Sequence, residues 1–389
     1  ILRGGTIYDG SGEPGFAGDV AINGDAIVAL GDLGAAGADR ELDVTGLAVA
    51  PGFINMLSWA TESLIHDGRS QSDIRQGVTL EVFGEGFSMG PLSDDMKTSL
   101  KARQSDIRYD VEWTTLGEYL EYLVARGVST NVATFLGAAN PRMAVIGLEN
   151  RKPTADELDA MRDIVREAME DGAIGVASSL MYPPGLFADT GELIALAEVA
   201  AEYDGLYASH MRDEGALMLE AIEELITISR EAGIRAEIYH LKSSGEDNWP
   251  LFDDAIDMIE AARADGLPIT ADVYTYPAGA TGLNVTIPPW VQDGGFENSV
   301  ARMSDPETRK QIIEEMNTPS DDWENMFLIA GSPENILLVN FKSEALKPLT
   351  GKTLAEVAEM RGTPVEDTIM DLIIEDGSRV GTVYFTQSE

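Results

Sequence analysis

The chain has only three histidines, and two of them end apolar, strand-like runs: His210 closes 206–209 and His240 closes 235–239. One strand-plus-helix repeat separates them, which predicts neighbouring parallel strands with backbones about 5 Å apart. Two imidazoles converging in a chain with 67 Asp+Glu against 27 Lys+Arg make a divalent-metal site. The alternative is two unrelated rim histidines, each hydrogen-bonded locally; their matching strand-end positions favour the metal. Glu85 follows the run 78–83 between Gly84 and Gly86, which let backbone and side chain approach a ligand closely. It is a candidate third ligand, with a solvated turn carboxylate as the equal alternative. His66, in Ile65-His66-Asp67-Gly68, has no strand end and no partner, and reads as a surface loop histidine. With no cysteine in the chain, disulfides, thiolate metal sites and cysteine nucleophiles are all excluded.

These positions need a scaffold that ends several strands side by side. Helical runs close at Gly127, Gly172, Gly205, Gly233 and Gly266, and a short apolar run follows each: 131–136, 173–177, 206–209, 235–239 and 269–273. The last four glycines stand 33, 28 and 33 residues apart, the length of one β/α unit. In one such unit Thr154 and Glu157 make a capping box, while Leu158, Met161, Val165 and Ala168 form one apolar stripe. Gly172 then offers a left-handed C-cap. With 53–57 and 78–83, seven strands follow this rhythm, which predicts an α/β fold: a (β/α)8 TIM-like barrel rather than a doubly wound sheet. A dinucleotide fold needs a Gly-rich phosphate loop, and Gly84-Glu85-Gly86 puts an acid where phosphate would sit. Chemistry in a barrel gathers at the C-terminal strand ends, where His210 and His240 fall.

Residues 1–51 read as a small β-sandwich-like module, with Asn23-Gly24 as a hairpin signal. Residues 52–281 carry barrel strands 1–7. The rhythm breaks over 282–348, where Pro288-Pro289-Trp290, Pro306, Pro319 and Pro333 mark a lid-like insertion over the active face. Helical runs 353–361 and 365–375 and a strand-like 382–386 return to the barrel in 349–389. No eighth strand is visible before Glu389, so the sequence is expected to be truncated there, and its start at Ile1 suggests a missing upstream part.

A hydrophobic fraction of 44% and a charged fraction of 24% are those of a globular protein. The net charge of −40 repels phosphate backbones, which argues against nucleic-acid and anionic-membrane partners. No apolar run is long enough to span a bilayer, so no membrane insertion is expected. Compartment (cytoplasmic or periplasmic) and oligomeric state, a homo-oligomer included, stay open.

Several motifs, in order, resemble the D-aminoacylase (N-acyl-D-amino-acid deacylase) branch of the amidohydrolase superfamily over essentially the whole chain. Leu2-Arg3-Gly4-Gly5-Thr6-Ile7-Tyr8-Asp9-Gly10 and Ala50-Pro51-Gly52-Phe53-Ile54-Asn55 are similar to the superfamily's approach to its barrel. Ala177-Ser178-Ser179-Leu180-Met181-Tyr182-Pro183-Pro184-Gly185 resembles the branch's own motif. Ser209-His210-Met211-Arg212-Asp213-Glu214-Gly215, His240-Leu241-Lys242 and Asp272-Val273-Tyr274-Thr275-Tyr276 complete the set. The departures are equally specific. Where the superfamily has His-x-His after its first strand, this chain has Leu57-Ser58-Trp59, so that metal position is expected to be absent. Where the branch has a cysteine ligand, the aligned residue is Glu85, a harder donor that widens the choice of metal. The superfamily's catalytic aspartate belongs on the eighth strand, beyond Glu389.

The resemblance implies one divalent metal, zinc with Mn or Fe as alternatives, held by Glu85, His210 and His240. It lowers the pKa of bound water from about 15.7 toward 7 and so supplies hydroxide to attack an amide carbonyl. Tyr274 is the candidate catalytic donor to the developing oxyanion. Lys242 is the candidate for the substrate carboxylate, Arg212 a second cation whose alternative is a salt bridge to Asp213 or Glu214, and Tyr276 a stand-in for Tyr274. The implied substrate is a small N-acyl amino acid of D configuration. A cyclic amidase or dipeptidase-like relative is one alternative, and a catalytically silent binder of acylated ligands is another.

Overall fold

The computed structural model describes residues 1–388 and divides into two compact units, 1–55 with 71–80 and 56–70 with 81 onward. In the first unit β1 (Leu2–Ile7), β2 (Phe16–Asn23), β3 (Ala26–Gly31), β4 (Leu42–Asp43) and β5 (Ala48–Val49) share one sheet, ordered β3-β2-β1-β4 with β5 also on β1. The hairpin forms as the dipeptide predicts, one residue later: Asn23 faces Ala26, and the two-residue loop is Gly24-Asp25, with Gly24 at φ +63°. β6 (Phe53–Asn55) is shorter than the apolar run from which it was read.

β7 (Val78–Phe83) leads into the second unit, where the β/α rhythm dominates. β8 (Asn131–Thr134) and β9 (Leu136–Gly137) are one extended stretch, and Phe135 N–H donates to Phe83 O. β10 (Gly175–Ser179), β11 (Leu206–His210), β12 (Arg235–Ile238) and β13 (Ile269–Ala271) follow in parallel, giving the sheet order β13-β12-β11-β10-β9. Each crossover is a helix of the kind the sequence predicts. In Ala155–Glu170 the Thr154–Glu157 capping box is present and Met161, Val165 and Ala168 are buried. Helix Met218–Ala232 ends on Gly233 in the left-handed region, which an L side chain enters at a cost. Helix faces and strand faces meet in one core that includes Val176, Leu196, Tyr207, Ile222 and Ile238. Each such side chain contributes roughly 1.5–3 kcal/mol by leaving water.

The remaining strands depart from this rhythm. β14 (Gly279–Gly282), β15 (Ile336–Asn340) and β16 (Gly381–Tyr384) form an antiparallel sheet, β14-β16-β15, over a second core that includes Leu283, Ile336, Leu338, Ile369 and Tyr384. The strand-like run near residue 382 therefore pairs with β14 and β15 rather than with a parallel neighbour. His66 is exposed as expected, but it ends the helix Thr61–His66 instead of sitting in a loop.

Candidate metal centre

Three strand ends in the second unit deliver the predicted ligands to one point. Glu85 Oε1 stands 3.1 Å from His210 Nδ1 and 3.2 Å from His240 Nε2, and the two ring nitrogens are 3.0 Å apart. The imidazoles are nearly perpendicular, at 82°. His210 is the last residue of β11, in register with Ser179 of β10. His240 lies two residues past β12 and takes φ +38°, while its backbone N–H donates to Asp272 Oδ1. β13 ends at Ala271, short of the predicted 273, although Asp272 still exchanges backbone hydrogen bonds with Ile238 and Leu241.

The glycines around Glu85 are required by space. Gly84 has φ +108°, and a Cβ there would lie 2.4 Å from Phe135 O; Gly86 has φ +65°, and a Cβ there would lie 2.4 Å from Ser179 Cβ. Only glycine passes this close to β9 and β10, so Glu85 is held by its backbone.

All three donors suit a divalent cation. Their separations fall within hydrogen-bonding range, and two imidazole nitrogens and a carboxylate oxygen that all face one point are equally the donor set of a metal ion. Donor separations near 3 Å are close to the roughly 3.3 Å edges of a tetrahedral site with ligand bonds of about 2.0–2.1 Å. Without a cation the charges compensate one another. Burial opposes ionisation of Glu85, yet His210 and His240 hold its pKa down at about 2. Burial likewise opposes charge on His240, yet the carboxylates of Glu214 and Glu85 raise its pKa to about 9.

Behind the triad lies a buried acid that the sequence offered only as an alternative salt-bridge partner for Arg212. Glu214 Oε1 is 3.0 Å from His240 Nδ1, and its Oε2 is 2.6 Å from Lys242 Nζ. A carboxylate on the far nitrogen of a ligand histidine fixes ring orientation and raises donor strength. Lys242 also reaches His240 O at 3.0 Å and lies over the Tyr274 ring at 5.5 Å. Tyr274, half-buried, accepts a hydrogen bond from Gln387 Nε2 at 3.2 Å. These residues surround the triad; Arg212 and Tyr276 do not. Arg212 binds Glu224 in bidentate fashion and donates to the carbonyls of Leu186 and Ala188, a salt bridge with a partner other than Asp213 or Glu214. Tyr276 is 73% exposed. Leu57 and Trp59, in place of the His-x-His pair, offer no ligand atom.

Tyr182, Asp272 and Glu324 also escaped the sequence reading. Tyr182 packs its ring 5.1 Å from His210 and is hydrogen-bonded to Thr281. Asp272 anchors the His240 backbone, and Glu324 is buried beside the backbone N–H of Glu214. Tyr182, Asp272 and Glu214 lie inside the motifs quoted above, and for Glu214 its place four residues past the strand-end His210 was the signal available. Glu324 lies in the proline-rich segment and carried no signal.

No family model matches the chain. It is 38% identical over 285 residues to the D-aminoacylase of Alcaligenes xylosoxydans xylosoxydans, an alignment covering 73% of this chain and 58% of that protein. It therefore spans little more than half the length of that relative. A D-aminoacylase crystal structure described as defining a novel subset of amidohydrolases superposes with TM-score 0.78 at 31% identity, covering 100% of this chain and 71% of that one. The N-acyl-D-glutamate deacylase of Bordetella bronchiseptica, solved with zinc and a phosphonate mimic of the tetrahedral intermediate, gives TM-score 0.77 at 28% identity, again covering 100% and 71%. With its parallel β/α architecture matched from end to end by a D-aminoacylase, the chain belongs to the D-aminoacylase family of amidohydrolases, a family of TIM-barrel type.

Proposed function

We propose that this protein hydrolyses N-acyl-D-amino acids to the free D-amino acid and a carboxylic acid, using one zinc ion held by Glu85, His210 and His240. The observation that carries the proposal is the convergence of those three donor atoms within 3.2 Å of one another. Leu57 and Trp59 support one metal rather than two. A divalent cation there supplies Lewis acidity toward a carbonyl oxygen and a nucleophilic water at neutral pH.

The chain's own groups then divide the remaining work. Glu214 holds the His240 ring by Nδ1 and the Lys242 ammonium by Nζ, so a metal ligand and a cation for the substrate carboxylate share one rigid anchor. Tyr274 accepts from Gln387, which leaves its own proton free to donate to an oxygen gaining negative charge. Arg212, tied to Glu224, shapes the wall of the cavity beside the site instead of meeting the carboxylate. Segment 282–348 is the cover of that face.

Metal content and stereochemistry test the reading together. Protein purified without chelator is expected to hold about one zinc per chain, and to cleave N-acetyl-D-amino acids well ahead of their L forms and of hydantoins. Ready L turnover or hydantoin opening instead favours the cyclic-amidase or dipeptidase-like alternative. Stoichiometric metal with no product from any of these substrates favours a silent binder.

A further inference from the structure

A cavity of about 780 Å³ opens between the loops that follow β10 and β11 and the segment carrying Trp290 and Trp323. Its size is that of a small-molecule subsite. An inner recess of about 10 Å³, room for roughly one water, shares Leu186, Arg212, Pro289 and Trp323 with it and is also lined by Tyr182 and Glu324. Both of those residues border the metal centre: the Tyr182 ring is 5.1 Å from that of His210, and Glu324 accepts from the backbone of Glu214.

The chemistry of these walls has one sign. Arg212 is the only cation lining the cavity, and its charge is compensated by two hydrogen bonds of 2.9 Å to Glu224. Asp189 is matched by Lys152, whereas Glu315 and Asp322 form no ion pair among the described residues. The indole of Trp290 donates to Glu315, which fixes an aromatic face beside an acid. Glu324 is 5% exposed, faces the recess, and its Oε2 has no hydrogen-bond partner. A buried oxygen of this kind is costly unless something donates to it. Aromatic faces beside uncompensated carboxylates are the usual recognition chemistry for an ammonium or guanidinium.

We propose that this cavity binds a cationic group of the substrate, remote from the scissile amide, with Asp322 and Glu315 as its direct charge partners, Glu324 as the acid it meets across the one-water recess, and Trp290 and Trp323 as its aromatic faces. The proposal rests on the deacylase reading and adds the substrate class. The cation belongs either to the amino-acid side chain or to the acyl group, since ammonium chemistry is common to both. An acidic side chain of the kind named for the Bordetella relative is disfavoured here. Burial and the nearby carboxylates of Asp213 and Glu214 push the Glu324 pKa well above its ordinary range, so Glu324 becomes a charge partner as an arriving cation favours its ionised form.

The test uses the intact protein and four substrates: N-acetyl-D-norleucine as the neutral reference, N-acetyl-D-arginine, glycyl-D-norleucine and N-acetyl-D-glutamate. At least one cationic substrate is expected to exceed the neutral one by about tenfold in kcat/KM, a difference of 1.4 kcal/mol, with the glutamate compound lowest. Which cationic substrate leads identifies the bearer of the charge. Asp322→Asn combined with Glu324→Gln is expected to bring the cation-to-neutral ratio toward one. In chelator-treated protein, N-acetyl-D-arginine is expected to quench tryptophan fluorescence, and Trp323→Phe to reduce that quench. Equal rates for charged and neutral substrates, or a preference for N-acetyl-D-glutamate, overturn the subsite. No turnover of any of the four substrates, with retained N-acetyl-D-arginine binding, overturns the deacylase reading and leaves the subsite standing.

Discussion

Glu214 links the two halves of the site, because one carboxylate grips a metal ligand on one oxygen and an ammonium on the other. It is buried, so its charge is tolerable only while both partners stay in place; although burial opposes it, Lys242, His210 and His240 drive its pKa well below the ordinary range. Glu214→Gln keeps the shape and removes the charge. Zinc affinity, read by competition with a chelator, is expected to fall on the order of 10–100-fold. In the metal-free variant the His240 pKa is expected to move down from about 9, which an NMR titration of the imidazole reads directly. An unchanged zinc affinity and an unchanged titration would together show that Glu214 is only packing. In the sequence this residue shows only as an acid four residues past the strand-end His210, and nothing local names what it grips. Its partners are 26 and 28 positions away and meet it only because β11 and β12 are neighbours.

The strands place acids inside the barrel as well as at its rim. Alternation along β12 sends Ala236 and Ile238 to the helix layer and Glu237 to the opposite face, where Thr270 of β13 hydrogen-bonds to it. Burial, and secondly the Asp272 carboxylate, raise the Glu237 pKa to about 7. The folded state therefore binds more protons than the unfolded chain between roughly pH 4.5 and 7, and stability falls as pH rises through that window. Glu237→Gln is expected to flatten this slope and to raise stability at neutral pH on the order of 1–3 kcal/mol, read by urea unfolding at pH 5 and pH 8. A slope equally steep in the variant would assign it to other groups. The βα rhythm was legible here because glycine C-caps and apolar stripes are local signals; the inward face of a strand so short was not. β16 was legible as a strand but not its antiparallel pairing, and β14 escaped for a related reason, since Gly279-Ala280-Thr281-Gly282 has no strand composition and pairs only through its tertiary partners.

With a formal charge of −40, this chain gains electrostatically from any divalent cation that it binds in the native state alone. Zinc at a hundred times its dissociation constant is expected to stabilise the fold by about 2.7 kcal/mol, so chelation should lower Tm by several degrees and zinc restore it. His210→Ala is expected to remove that zinc-dependent shift, and a Tm indifferent to chelator would argue against a metal that holds three strand ends together. The sequence alone determined the parallel β/α architecture, the strand-end placement of His210 and His240 and the candidacy of Glu85, because periodicity, glycine caps and charge are properties of neighbouring residues. Tertiary structure alone decided that these three donors meet, that Glu214 stands behind them, that Arg212 is tied to Glu224 and Lys242 to Glu214 beside the triad, and that Glu324 comes to the site from a segment without any motif. Those facts depend on distances between residues far apart in the chain, which are fixed only when the strands pack side by side.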